Sequence, residues 1–164
     1  MCRLSIFICM IFAVFCTSAQ LLFAEISDRV VAFIDNTAIT YSELQEQYAE
    51  IVKITPNSTQ EEVLNTMINR MLLIGEAEKI KLEAPSEDAL LKEYIDLKIR
   101  AFIRVSEEEL RTFYDQHVQE FQAREFDDVR EEIEIYLTEQ EVNERLKSHI
   151  TELRQKYCIK IQLQ

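Results

Sequence analysis

The chain has 164 residues, with 30 Asp and Glu against 18 Lys and Arg, for a formal net charge of −12. That balance excludes a surface built for nucleic-acid phosphates or for an anionic membrane face, since both need clustered Lys and Arg. One Gly and two Pro leave little turn punctuation, so long helices are favoured over a sheet protein with many tight turns.

Residues 1–24 have the pattern of an export signal. Arg3 supplies a positive charge, residues 4–16 are almost unbroken apolar sequence, and Ala19 and Ala24 are small residues suited to cleavage. Thr17, Ser18 and Gln20 interrupt the apolar run before the roughly 20 residues that a membrane-spanning helix needs, so cleavage is expected and no membrane insertion after it. Phe15 stands before Cys16 where a bacterial lipoprotein signal wants a small residue. Cys2, Cys9 and Cys16 leave with the signal, and Cys158 alone remains, so the mature chain has no internal disulfide and must be held by its core. Near an apolar C-terminal run, Cys158 is expected to be a small buried hydrophobe. Residues 25–164 are enough for one domain.

Past the signal, Val30 to Ile34 is a β-branched and aromatic run, Asp35-Asn36-Thr37 is turn chemistry, and Ala38-Ile39-Thr40 returns, which predicts a strand, turn and second strand. Residues 158–163 alternate Ile159, Ile161 and Leu163 with Lys160 and Gln162, the period of a half-buried strand. A two-stranded ribbon is marginal in water, so the C-terminal strand is expected to pair with the N-terminal ones.

The chain between these ends reads as helical. Thr40-Tyr41-Ser42-Glu43, Thr59-Gln60-Glu61-Glu62 and Ser106-Glu107-Glu108-Glu109 each match the capping box, where a hydroxyl satisfies one free N–H and a carboxylate three residues on satisfies another. The first helix is predicted over Tyr41 to Ile54, with Leu44, Tyr48 and Ile51 inward. The second, over residues 60–81, carries Val63, Leu64, Met67, Ile68, Met71, Leu72 and Ile74, a face wide enough for the central helix. Gly75 inside it is read as a mark of close helix contact. Pro85-Ser86 opens a third helix running on through Leu90, Leu91, Tyr94, Ile95, Ile99, Phe102 and Ile103. The fourth starts at Ser106, with Leu110, Phe113, Tyr114, Val118 and Phe121 inward. Residues 126–157 contain no Gly or Pro and form a last helix about 45 Å long, striped by Val129, Ile133, Leu137, Val142, Leu146, Ile150 and Leu153.

Several local strings, in this order, resemble the SurA-type periplasmic chaperones and parvulin-bearing foldases. Asp28-Arg29-Val30-Val31-Ala32-Phe33-Ile34-Asp35-Asn36-Thr37-Ala38-Ile39-Thr40, with Ser42-Glu43-Leu44, is similar to the strand, turn and helix that open the chaperone module. Met67-Ile68-Asn69-Arg70-Met71-Leu72-Leu73-Ile74 with Glu76-Ala77 resembles its second helix. Arg104-Val105-Ser106-Glu107-Glu108-Glu109-Leu110, with Phe113-Tyr114 and Phe121, resembles the helix before the catalytic domain, and Phe126-Asp127-Asp128-Val129-Arg130-Glu131-Glu132-Ile133, with Leu153-Arg154 and Ile159-Lys160-Ile161, its closing tail. The resemblance covers essentially the whole mature chain. It implies a mainly α, SurA-like helical chaperone module with a small β-sheet from the N- and C-terminal strands. In parvulin-bearing relatives an isomerase domain sits between the fourth helix and the closing helix; here only Gln122-Ala123-Arg124-Glu125 separate Phe121 from Phe126. The implied module therefore lacks prolyl isomerase activity.

The residues themselves form no recognisable catalytic pattern. His117 and His149 fall on separate predicted helices and read as surface histidines. The acidic runs Glu107-Glu108-Glu109 and Glu131-Glu132 with Glu134 lack the alternating ligands and Gly of a calcium loop. Ser and Thr occur mostly as caps, and no His stands at a spacing that identifies a nucleophile. Asn57-Ser58-Thr59 matches a glycosylation acceptor but reads as loop followed by cap. The expectation is a non-enzyme with no cofactor and no metal.

Apolar surface is left to carry function. The candidate peptide-binding residues are Met67 and Met71, four apart on one helical face, with Tyr48, Tyr94, Phe102, Tyr114, Phe121 and Tyr136 as aromatic area. The resemblance implies an ATP-independent periplasmic holdase for unfolded or partly folded exported polypeptides, including outer-membrane precursors. The alternative is a protein-interaction domain of a cell-envelope complex with one fixed partner. Neither uses nucleic acid, and a homodimer through strand edges is left open.

Overall fold

A computed structural model describes residues 28–122 and 124–163. The export signal at residues 1–24 lies outside the described residues. In chain order come β1 (Val30–Ile34), β2 (Thr37–Thr40), α1 (Tyr41–Ile54), α2 (Gln60–Lys79), α3 (Glu87–Lys98), a 3-10 turn (Arg100–Phe102), α4 (Glu107–His117), α5 (Phe126–Lys156) and β3 (Ile159–Ile161). The protein is mainly α-helical, with one small antiparallel sheet of strand order β2-β1-β3.

The sheet joins the two ends of the chain as expected. β1 turns into β2 through Asp35, whose φ of 49° lies in the left-handed region that Asp tolerates better than most residues. β3 lies on the other side of β1, with Ala32 opposite Ile161, Phe33 opposite Lys160 and Ile34 opposite Ile159. Gln162 N–H donates to the Val31 carbonyl at 2.8 Å and extends the pairing by one bond.

All three capping boxes form. Glu43 N–H donates to Thr40 Oγ1 at 3.4 Å and Thr40 N–H to Glu43 Oε2 at 2.8 Å. Thr59 with Glu62, and Ser106 with Glu109, make the same reciprocal pairs. Each hydroxyl cap stabilises its helix by about 1 kcal/mol. Ser86 caps α3 by accepting from Ala89 N–H at 3.2 Å.

Three apolar clusters hold the helices. The largest joins Val31, Ala32, Ile34 and Ile39 of the sheet to Leu44 of α1, six residues of α2 from Val63 to Ala77, Leu90 and Tyr94 of α3, and Leu153 of α5. A second packs Leu110 of α4 against Phe126, Val129 and Ile133 of α5. Between them Ile99 and Ile103 meet Val142. The 31 residues of α5, about 46 Å at 1.5 Å each, contribute to all three, which is why its apolar stripe drifts around the helix.

The structure corrects five expectations. α3 does not run on through Ile103: Ile99 leaves helical geometry at φ −124°, ψ −64°, and the 3-10 turn swings both Ile99 and Ile103 onto Val142 while leaving Phe102 67% exposed. Arg100 fixes that turn through Asp96 Oδ1 at 2.8 Å and a close pair with Glu139 of α5. Gly75 marks no close contact, since a Cβ there would meet nothing within 4 Å. Cys158 is exposed rather than buried, because β3 puts it on the same side as Lys160. Val118 lies beyond the end of α4 and is 45% exposed. α2 also stops at Lys79, with Lys81 at φ 59°.

Candidate peptide groove

Residues of α1, α2 and the start of α3 line a groove of about 560 Å3. Ile51, Val63, Met67 and Met71 form its floor, and Glu43, Glu46, Glu87, Asp88 and Arg70 its rim. Val63 is buried and the two methionines are half-buried, so the floor is presented to solvent without being loose. Helix α2 supplies the floor because residues four apart share a face. Capping by Ser86 starts α3 so that Glu87 and Asp88 of its first turn face Arg70, at 3.2 Å from Nη2 and 2.7 Å from Nη1. Those pairs tie the rim together and leave it net acidic.

Met71 also borders a second recess, of about 470 Å3, where α2 passes under the hairpin turn and Tyr157. Nearby, Glu76 anchors the end of α5 to α2. Its Oε1 accepts from the Tyr157 hydroxyl, from Lys156 Nζ at 3.0 Å and from Lys79 Nζ at 3.1 Å. Burial opposes its ionisation, yet the hydrogen bonds from Tyr157, Lys156 and Lys79 prevail and hold the carboxyl down at about 2. One turn back along α5, Arg154 reaches Asn69 Oδ1 at 2.8 Å and Asn65 Oδ1 at 2.9 Å.

The eight sequence-predicted residues do not form one crevice. Met67 and Met71 share the groove floor, and Tyr48 packs half-buried against the same core from α1. Tyr94 is 2% exposed and cannot meet a ligand. Its hydroxyl lies 2.8 Å from His149 Nε2, and burial, with the Glu76 and Tyr157 charges, pushes its pKa up to about 12. Phe102 lies exposed on the 3-10 turn, away from the groove. Tyr114, Phe121 and Tyr136 gather instead between α4 and α5, where Tyr114 stacks on Phe121 at 5.5 Å between centroids and donates its hydroxyl to the Arg124 carbonyl at 2.8 Å. A further recess, about 590 Å3 between α4 and α5 near residues 103–106, contains none of the eight.

Sequence reasoning missed the rim residues, whose charges read only as solvated helix faces until α3 brings two of them to Arg70. It also passed over Phe113 and His117, which stack at 4.1 Å; their i, i+4 spacing was the signal available. Among the described residues no cluster of His, Cys, Asp and Glu is placed to hold a metal ion, and no helix is long and apolar enough to cross a membrane. No family model and no curated protein matches the chain.

Proposed function

We propose that the protein is a SurA-like, ATP-independent holdase that binds extended segments of unfolded exported polypeptides in the groove between α1, α2 and α3, and that it has no prolyl isomerase activity. The observation that carries this reading is the pair Met67 and Met71, side by side and half-buried under a rim of carboxylates. Unbranched thioethers change rotamer at little cost, so such a floor accepts side chains of varied shape. The rim keeps the empty groove hydrated and the free protein apart from its neighbours.

A groove of this size holds a few side chains rather than a folded surface. Each buried side chain of Leu or Phe size is favoured by about 1.5–3 kcal/mol, and ordering the segment opposes that. Binding is therefore expected to be weak and rapidly reversible, which suits a carrier that must release its client without ATP.

The test is suppression of aggregation of several unrelated unfolded proteins, compared with a Met67→Ser/Met71→Ser double variant whose helicity is checked by circular dichroism. Protection of all clients, reduced in the variant, supports the reading. Absence of protection, with tight capture of one envelope protein, would establish a dedicated interaction domain instead.

A further inference from the structure

The recess between α4 and α5 combines three features that favour the same kind of ligand. It measures about 390 Å3, within the range of small-ligand pockets. Phe113 and His117 stack on one turn of α4, Tyr136 of α5 leans to 5.2 Å from Phe113, and Phe121 stands edge-on to it at 6.4 Å. Ring faces carry partial negative charge and attract cations. Two carboxylates, Glu120 and Glu132, share the lining. Glu132 takes Arg124 Nη2 at 2.8 Å, whereas Glu120 has no ion pair among the described residues. α4 also ends at His117, which brings the negative end of its dipole to the same place.

An apolar ligand here would strip water from Glu120 without replacing it, and an anion would meet three repulsive features at once. A cation satisfies all of them. We propose that this recess binds an arginine side chain presented by a polypeptide segment. A planar guanidinium can stack on a ring while its edge donates to a carboxylate, which a compact ammonium cannot do. The same helix pair already uses this arrangement internally, with Arg111 lying 4.3 Å over the Phe126 ring. A polypeptide is the source because Tyr136 is 55% exposed and leaves the recess open along the surface, and because a chain of net charge −12 attracts basic segments over a distance. The inference is independent of whether the groove at Met67 and Met71 takes clients.

The experiment is a two-dimensional NMR titration of the purified full-length protein with a capped Gly-Arg-Gly peptide and with its citrulline counterpart, equal in shape but uncharged. Saturable shifts confined to residues 113–121 and 132–136, with the arginine peptide at least about fivefold tighter, are the expected result. Tyr136→Leu and Glu120→Gln, both at exposed positions, should each weaken the arginine peptide several-fold while circular dichroism stays unchanged. Equal binding of the citrulline peptide, or no saturable shift in the millimolar range, would overturn the site. Guanidinium ion binding as tightly as the peptide would overturn the polypeptide as its source.

Discussion

Asp35 and Cys158, 123 residues apart, exchange two hydrogen bonds: the Asp35 N–H donates to the Cys158 carbonyl at 3.0 Å, and the Cys158 N–H donates to Asp35 Oδ1 at 3.0 Å. The turn that closes the β1-β2 hairpin thus also sets the register of β3.

Asp35 is therefore needed both for its carboxylate and for its tolerance of positive φ. Asp35→Ala loses the side-chain bond and strains the turn, and should cost about 2 kcal/mol. Asp35→Asn keeps an acceptor and the conformation and should cost well under half of that. Chemical denaturation of the two variants checks the order.

Removing residues 158–164 takes away β3 and uncovers Ala32 and Ile34 of β1. The expected loss is several kcal/mol from a total of about 5–15, read as a fall in melting temperature of more than 10 °C. An unchanged melting temperature would mean that the sheet contributes little to the main core.

Acid should loosen the Glu76 anchor at the end of α5 only well below the pH at which ordinary carboxylates protonate. The Glu76 carboxyl is held at about 2 against an ordinary value of 4.5, so its contribution is complete above about pH 4.5 and is lost as the pH falls toward 2. With its side chain 17% exposed, that contribution is about 1–2 kcal/mol after allowance for solvent screening. Glu76→Gln should lower stability at pH 7 by this amount, and the difference from the parent should vanish near pH 2.

The purified protein is expected to leave the cis/trans isomerisation rate of prolyl peptides unchanged. Uncatalysed exchange takes tens of seconds at 25 °C, so even slow catalysis is visible in a coupled assay. A rate that rises with protein concentration through repurification would contradict the proposed function.

Binding to the Met67 and Met71 groove should survive salt. Apolar burial is not weakened by modest salt, whereas steering by the acidic rim is screened within about 8 Å at physiological ionic strength. An uncharged, aromatic-rich peptide should therefore retain its affinity at 0.5 M NaCl in isothermal titration. A basic peptide should associate more slowly there.

What the sequence made legible was mostly local. Thr40 with Glu43, Thr59 with Glu62 and Ser106 with Glu109 each mark a helix start because both partners lie within one turn, and alternation across Ile159 and Ile161 marks a strand for the same reason. The break after Lys98 was not legible, since Ile99 and Ile103 are drawn apart from Phe102 by Val142, some forty residues away. The groove was half legible. Met67 and Met71 announce themselves by spacing, but Glu87 and Asp88 become its rim only through Arg70 on another helix. Tyr94 shows the opposite failure: an aromatic residue offered as binding surface has its ring in the core and its hydroxyl spent on His149. The exposure of Cys158 follows from the same alternation that identified β3, which puts it with Lys160 rather than with Ile159.

The antiparallel return of β3 onto β1 gives the molecule an order of assembly. α4 and the start of α5 meet across a short connection, so that pair can form early, as can the boxed helix starts. Docking β3 closes a loop of about 120 residues, an entropic cost of about 4 kcal/mol, and only a completed α5 brings it within reach. In hydrogen exchange the amides of Ile159–Ile161 should open at lower free energy than those of α2. Each such opening leaves β1 with a bare edge, and at high protein concentration a bare edge is where one chain can accept the last strand of another.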